Sequence, residues 1–120
     1  MFRLQFTEFV LGPWASRKLK DKAVNQTLRS KNSDIVQAIF SGELRQGDIL
    51  EISLNNIALG TAKLLGCFEA NSNNLTEDDA IKGGFLSLKD LRAAIIRAGF
   101  RFKQSYDLYR VQFEWVQQGA

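Results

Sequence analysis

Residues 46–68 read QGDILEISLNNIALGTAKLLGCF, and their alternation decides the fold. Ile49, Glu51 and Ser53 oppose Leu50, Ile52 and Leu54, the period of two expected of a strand with one buried face. Asn55-Asn56 follows as a hairpin turn, since asparagine tolerates the left-handed backbone such turns need. The return strand spans Ile57 to Phe68 and holds Gly60 and Gly66 in its interior. Interior glycines mark bulges or tight bends, which a small barrel requires.

On the N-terminal side, Ser33-Asp34 caps a short helix whose apolar side is Ile35, Val36, Ile39 and Phe40. Before it, Ala23 to Ser30 reads as a short strand, and Trp14 to Lys22 as a basic loop or short helix. Met1 to Val10 sets Phe2, Leu4 and Phe6 against Arg3, Gln5 and Thr7, a half-buried strand that Leu11-Gly12-Pro13 ends.

On the C-terminal side, Asn71 to Asn74 is a polar loop. Thr76 caps a helix with Glu77, Asp78 and Asp79 in its first turn, where the helix dipole favours acids. Lys82-Gly83-Gly84 stops that helix, and Ser87 with Asp90 opens another, striped by Leu88, Leu91, Ile95 and Ile96. Tyr106 to Val116 alternates again, with Tyr109, Val111, Phe113 and Trp115 sharing the core face and Arg110 opposite as a modest ligand candidate. The sum is an α+β domain over residues 1–120, a small mixed or antiparallel β-barrel with two or three short helices.

Composition narrows the chemistry. The 120 residues hold no His, one Cys and one Pro. Ser-His-Asp and Cys-His catalysis and His-ligated metal sites are therefore excluded, and Cys67 forms no internal disulfide. Between Gly66 and Phe68 it reads as a small core residue. Glu77-Asp78-Asp79 is no metal cluster, because successive helical residues point about 100° apart. No metal and no cofactor is expected. With no apolar run of membrane-spanning length, the chain reads as a cytoplasmic monomer that does not use a membrane. Net charge is +3, and Arg17, Lys18, Lys20, Lys22, Arg29 and Lys31 face the single acid Asp21 within residues 17–31.

Three segments resemble the ASCH family of PUA-like barrels. QGDILEI (46–52) is similar to the family's Gly-Asp strand, and GTAKL (60–64) to the strand after it. LTEDDAIKGGF (75–85) with SLKDL (87–91) resembles its helix pair and is the most specific match. In the family's Lys/Thr/Arg cleft motif, Thr27 and Arg29 match a T-x-R element, while Val24 and Asn25 stand where Lys and Thr would be. The resemblance covers Thr27 to Glu114 and is strongest from Gln46 onward.

Charge and resemblance together point to RNA or nucleotide binding. Lys22, Thr27 and Arg29 would be the cleft residues, with Trp14 to stack on a base and Arg17, Lys18, Lys20 and Lys31 to meet phosphates. The resemblance implies an alternative, an amidohydrolase acting on a modified nucleoside such as N4-acetylcytidine. Its machinery would come from Lys22, Thr27 and either Glu51 or Glu77, a lysine taking the proton in place of histidine. A second alternative is a protein-interaction module that uses the open edge of an incompletely closed barrel. Because Val24 replaces the family's lysine, binding ranks above catalysis.

Overall fold

The structure, a computed structural model, describes residues 1–100 and 107–117. In chain order the elements are β1 (Phe2–Phe6), α1 (Glu8–Lys20), β2 (Gln26–Ser30), α2 (Asp34–Ser41), β3 (Ile49–Leu54), β4 (Ile57–Asn71), a 3₁₀ turn (Ser72–Asn74), α3 (Glu77–Lys82), α4 (Leu88–Arg97) and β5 (Asp107–Trp115). The fold is α+β, built on one curled, barrel-like sheet of five strands in the order β1-β3-β4-β5-β2.

β3 and β4 form the expected hairpin. Asn55 and Asn56 both take positive φ, 49° and 67°, the backbone that matches the right-handed twist of the flanking strands. The pairing slips twice, between Ile52 and Ser53 and between Leu64 and Gly66. Each slip adds local twist and curls the sheet. β4 continues past Phe68 to Asn71, because β5 pairs with it as far as Asp107. β1 joins β3 in parallel, so the first strand reaches its partner only through the intervening helices and β2. The sheet's free edges are β1 and β2.

The N-terminal expectation needs correction. β1 stops at Phe6, and Glu8–Lys20 is helical with a break at Gly12, whose φ of 78° and ψ of 170° leave the helical region. Pro13 restarts it, at a position where a missing N–H carries no penalty. Residues 14–20 are thus helix, and Leu11, Ala15 and Leu19 are buried. The strand expected over 23–30 begins only at Gln26. Its first residues are engaged elsewhere: the Ala23 N–H donates to Lys18 O and the Asn25 N–H to Lys82 O. β5 ends at Trp115, and Tyr106 lies outside the described residues.

Both helix starts in the acidic half hold. Thr76 and Asp79 form a reciprocal capping box, and the Ser87 hydroxyl accepts the Asp90 N–H. The helices split the core in two. One core joins Leu4, Phe6, Leu19, Val36, Ile52 and Phe113 with their neighbours, and the other sets α3 and α4 on Ala70 and Leu108. Phe113 has no exposed area; burying such a ring stabilises by roughly 2–3 kcal/mol. Tyr109, Trp115 and Cys67 pack at the margin of the first core, and burial pushes the Cys67 thiol up.

Candidate nucleotide-binding seam

Curling brings the two free edges of the sheet toward each other, and one side chain spans the seam between them. Arg29, on β2, donates from Nη2 to the backbone carbonyl of Gln5 on β1 at 2.8 Å. Its Nε donates to Thr27 Oγ1 at 3.2 Å, and the guanidinium stands 4.9 Å from the Phe6 ring centroid. Alternation explains the grouping: Thr27 and Arg29 are two apart on β2 and share a face.

Beside this bridge lies a cavity of about 360 Å³ between the edge strands and the helices, within the size range of small-molecule sites. Its walls are mainly apolar, with Phe6, Leu28, Phe85, Leu91 and Ile95 among them. Thr27 and Arg29 both line it.

The Arg29 charge is poorly solvated and has no ion-pair partner among the described residues. Among the described residues the ion pairs are Arg3–Glu51, Lys82–Asp78 and Arg110–Asp79, and none includes Arg29. Burial lowers its pKa from the ordinary arginine value to about 10, so the cation persists at neutral pH. A guanidinium has five N–H donors, and the two hydrogen bonds above leave others for a ligand. Because Thr27 Oγ1 accepts from Arg29, its own O–H is directed to donate. The pair is suited to an oxyanion.

The polar end of the cavity is already neutralised. Asp79 is 5% exposed and takes a bidentate pair from Arg110, Nε to Oδ1 at 2.7 Å and Nη2 to Oδ2 at 3.0 Å. Gln26 Nε2 adds a bond at 3.0 Å to Oδ1, and the Thr76 N–H another at 3.0 Å to Oδ2. Gln112 in turn donates to Gln26 Oε1 at 2.9 Å. Burial alone would push the Asp79 carboxyl up. The hydrogen bonds from Arg110, Gln26 and Thr76, with the Arg110 charge, overcome that and hold it well below the usual carboxylate range. Arg110, a ligand candidate from its strand position, is committed to this pair instead.

The other sequence candidates lie apart from the cavity lining. Lys22 takes a left-handed backbone at φ 59° and lays Nζ 5.7 Å from the Trp115 ring centroid. Trp14, 47% exposed, carries Lys18 Nζ at 5.0 Å from its centroid. Arg17, Lys20 and Lys31 are exposed. Glu51 accepts from Arg3 Nε at 2.7 Å, and Glu77 accepts the Leu88 N–H at 3.0 Å. Val24, at the position where the family motif has lysine, is 1% exposed in the first core, beneath Gly84. Sequence reasoning missed Gln5, which faced outward by alternation yet supplies the carbonyl for Arg29 and accepts the Ser53 hydroxyl on Oε1. It also missed Asp79 as a buried partner; its capping-box spacing was the available signal.

The chain matches no family model, no curated protein and no solved structure. Among the described residues no three His, Cys, Asp or Glu are grouped to hold a metal ion, and no helix is long and apolar enough to cross a membrane.

Proposed function

We propose that this chain is a cytoplasmic, monomeric, ASCH-type PUA-like domain that binds RNA by taking one nucleotide unit into the seam cavity. The phosphate meets Arg29 and Thr27, and the base lies against the apolar wall at Phe6, Leu28 and Phe85. The observation that carries this reading is Arg29, a half-buried cation without a carboxylate partner among the described residues, at the side of an apolar cavity. A protein rarely holds a desolvated charge unpaired unless something else answers it.

The amidohydrolase alternative receives less support. A lysine would have to reach the Thr27 hydroxyl, and no lysine is among the described residues that line the cavity. Lys22 is held over Trp115 instead.

Calorimetric titration with uridine, uridine 5′-monophosphate and inorganic phosphate tests the binding reading. The monophosphate should bind more tightly than either fragment, and Arg29→Met should weaken it at least about tenfold, the weight of a charged hydrogen bond. Equal binding of uridine and its monophosphate, or full affinity in Arg29→Met, would overturn the assignment. Incubation with N4-acetylcytidine should release no cytidine; release that disappears in Lys22→Ala would reverse the ranking.

A further inference from the structure

Outside the cavity, two lysines of the basic run at residues 17–22 lie over the chain's two tryptophans. Arg17, Lys18, Lys20 and Lys22 lie within six residues, and none of them forms an ion pair among the described residues. Trp14 and Lys18 are one helical turn apart on α1, so the ammonium rests over the ring at 5.0 Å. Lys22 is four residues further on, just past the helix. Its left-handed backbone turns it onto Trp115, at 5.7 Å. Trp115 is itself fixed, donating from Nε1 to Val24 O at 2.7 Å and meeting Phe113 edge-on. Trp14 and Lys18 therefore share one face of α1, and Lys22, just past its end, is seated on the second tryptophan.

From this arrangement we infer that α1 and the end of β5 form a tract for single-stranded nucleic acid, which rests on the nucleotide-binding reading of the seam. The open side of Trp14 stacks on a base, while Lys18 and Lys22 leave their rings to meet successive phosphates. An indole with a lysine beside it serves any base, since every base has a π-face, and the lysines supply sequence-independent attraction. A duplex presents its bases already stacked and offers Trp14 nothing to receive. The tract thus selects single strands, and it requires more than one nucleotide.

The test compares uridine 5′-monophosphate, a uridine octanucleotide and a blunt RNA duplex by anisotropy and tryptophan emission across a salt series. Trp115→Phe isolates the emission of Trp14, and thermal melting confirms that each variant is folded. The octanucleotide should bind at least about tenfold more tightly than the monophosphate and quench Trp14. Trp14→Ala should remove most of that gain. A Lys18→Gln/Lys22→Gln double variant should reduce the salt slope by about 1.4, two phosphates at 0.7 each.

An octanucleotide that binds no better than the monophosphate would overturn the tract while leaving the Arg29 cavity standing. Octanucleotide binding that quenches Trp14 but ignores Arg29→Met would support the tract and remove the cavity reading. Equal affinity for the duplex would overturn single-strand selection. Binding to phosphatidylserine vesicles, with none to the octanucleotide, would assign the patch to a lipid surface and overturn the proposal.

Discussion

The Arg29 guanidinium donates to the carbonyl of Gln5 across 2.8 Å, and this one bond links the two edge strands of the sheet. β1 and β2 have no backbone ladder between them. The seam they leave open holds the cavity, and the residue that bridges it also supplies the cavity's charge. Position and chemistry therefore coincide at Arg29.

A residue kept for binding behaves differently from one kept for stability. Arg29→Met removes two hydrogen bonds, worth about 1 kcal/mol each, and relieves the burial of a cation that has no ion-pair partner among the described residues, a gain of about the same size. Urea unfolding should place the variant within about 1 kcal/mol of wild type while ligand affinity falls. A loss above about 3 kcal/mol would make Arg29 a structural strut.

Arg110 should show the opposite pattern. Arg110→Met leaves the buried Asp79 carboxylate without its main partner, which costs about 3 kcal/mol. Asp79→Ala loses the same pair and the capping box at Thr76, and should cost at least as much. Denaturant midpoints of the two variants and their double mutant check this, and the double mutant should be less destabilised than the sum.

The same pair sets an acid response. The folded-state pKa of Asp79 lies below its ordinary value of 3.8. Its contribution is complete above about pH 5 and is lost as pH falls through 3.8 toward the folded-state value. Melting temperature should decline on acidification across that range in wild type. In Asp79→Asn, already destabilised at pH 7, the decline should be shallower; parallel profiles would show that Asp79 is not the linked group.

Gly84 marks where α1, the segment just before β2 and the end of α3 converge. Its φ is 89°, and an added Cβ would sit 2.6 Å from Val24 Cγ2 and 3.2 Å from Lys18 Cβ. Gly84→Ala should cost about 2–4 kcal/mol from backbone strain and overpacking together. Gly42→Ala serves as the comparison, because φ is 81° there but no atom lies within 4 Å of the added carbon. It should lose only about 1–2 kcal/mol, and equal losses in calorimetric melts would refute the packing explanation.

Local order was legible in the sequence and distant pairing was not. The Ile49–Leu54 and Ile57–Asn71 hairpin follows from alternation and two asparagines. The capping residues Thr76 and Ser87 likewise marked their helices. The expected strand extends to Val10 because Phe9 and Val10 are apolar, although Glu8 already breaks the alternation of Phe2, Leu4 and Phe6 and Thr7 starts a helix interrupted at Gly12. The candidate site depends on pairs far apart in sequence: Arg29 with Gln5 over 24 residues, and Arg110 with Asp79 over 31. No local rule connects such residues. Lys22, five residues from Thr27, seemed the natural cleft base, and a single left-handed residue at the end of α1 turns it to Trp115.

The most direct measurement is an NMR titration of the ¹⁵N-labelled protein with uridine 5′-monophosphate, following the Arg29 side-chain Nε–Hε signal. Saturable shifts of that signal and of the Gln5, Thr27 and Leu28 amides, absent for the backbone amides in Arg29→Met, are the predicted result. Saturable shifts confined to residues 14–22, with the Arg29 signal unmoved, would contradict the account.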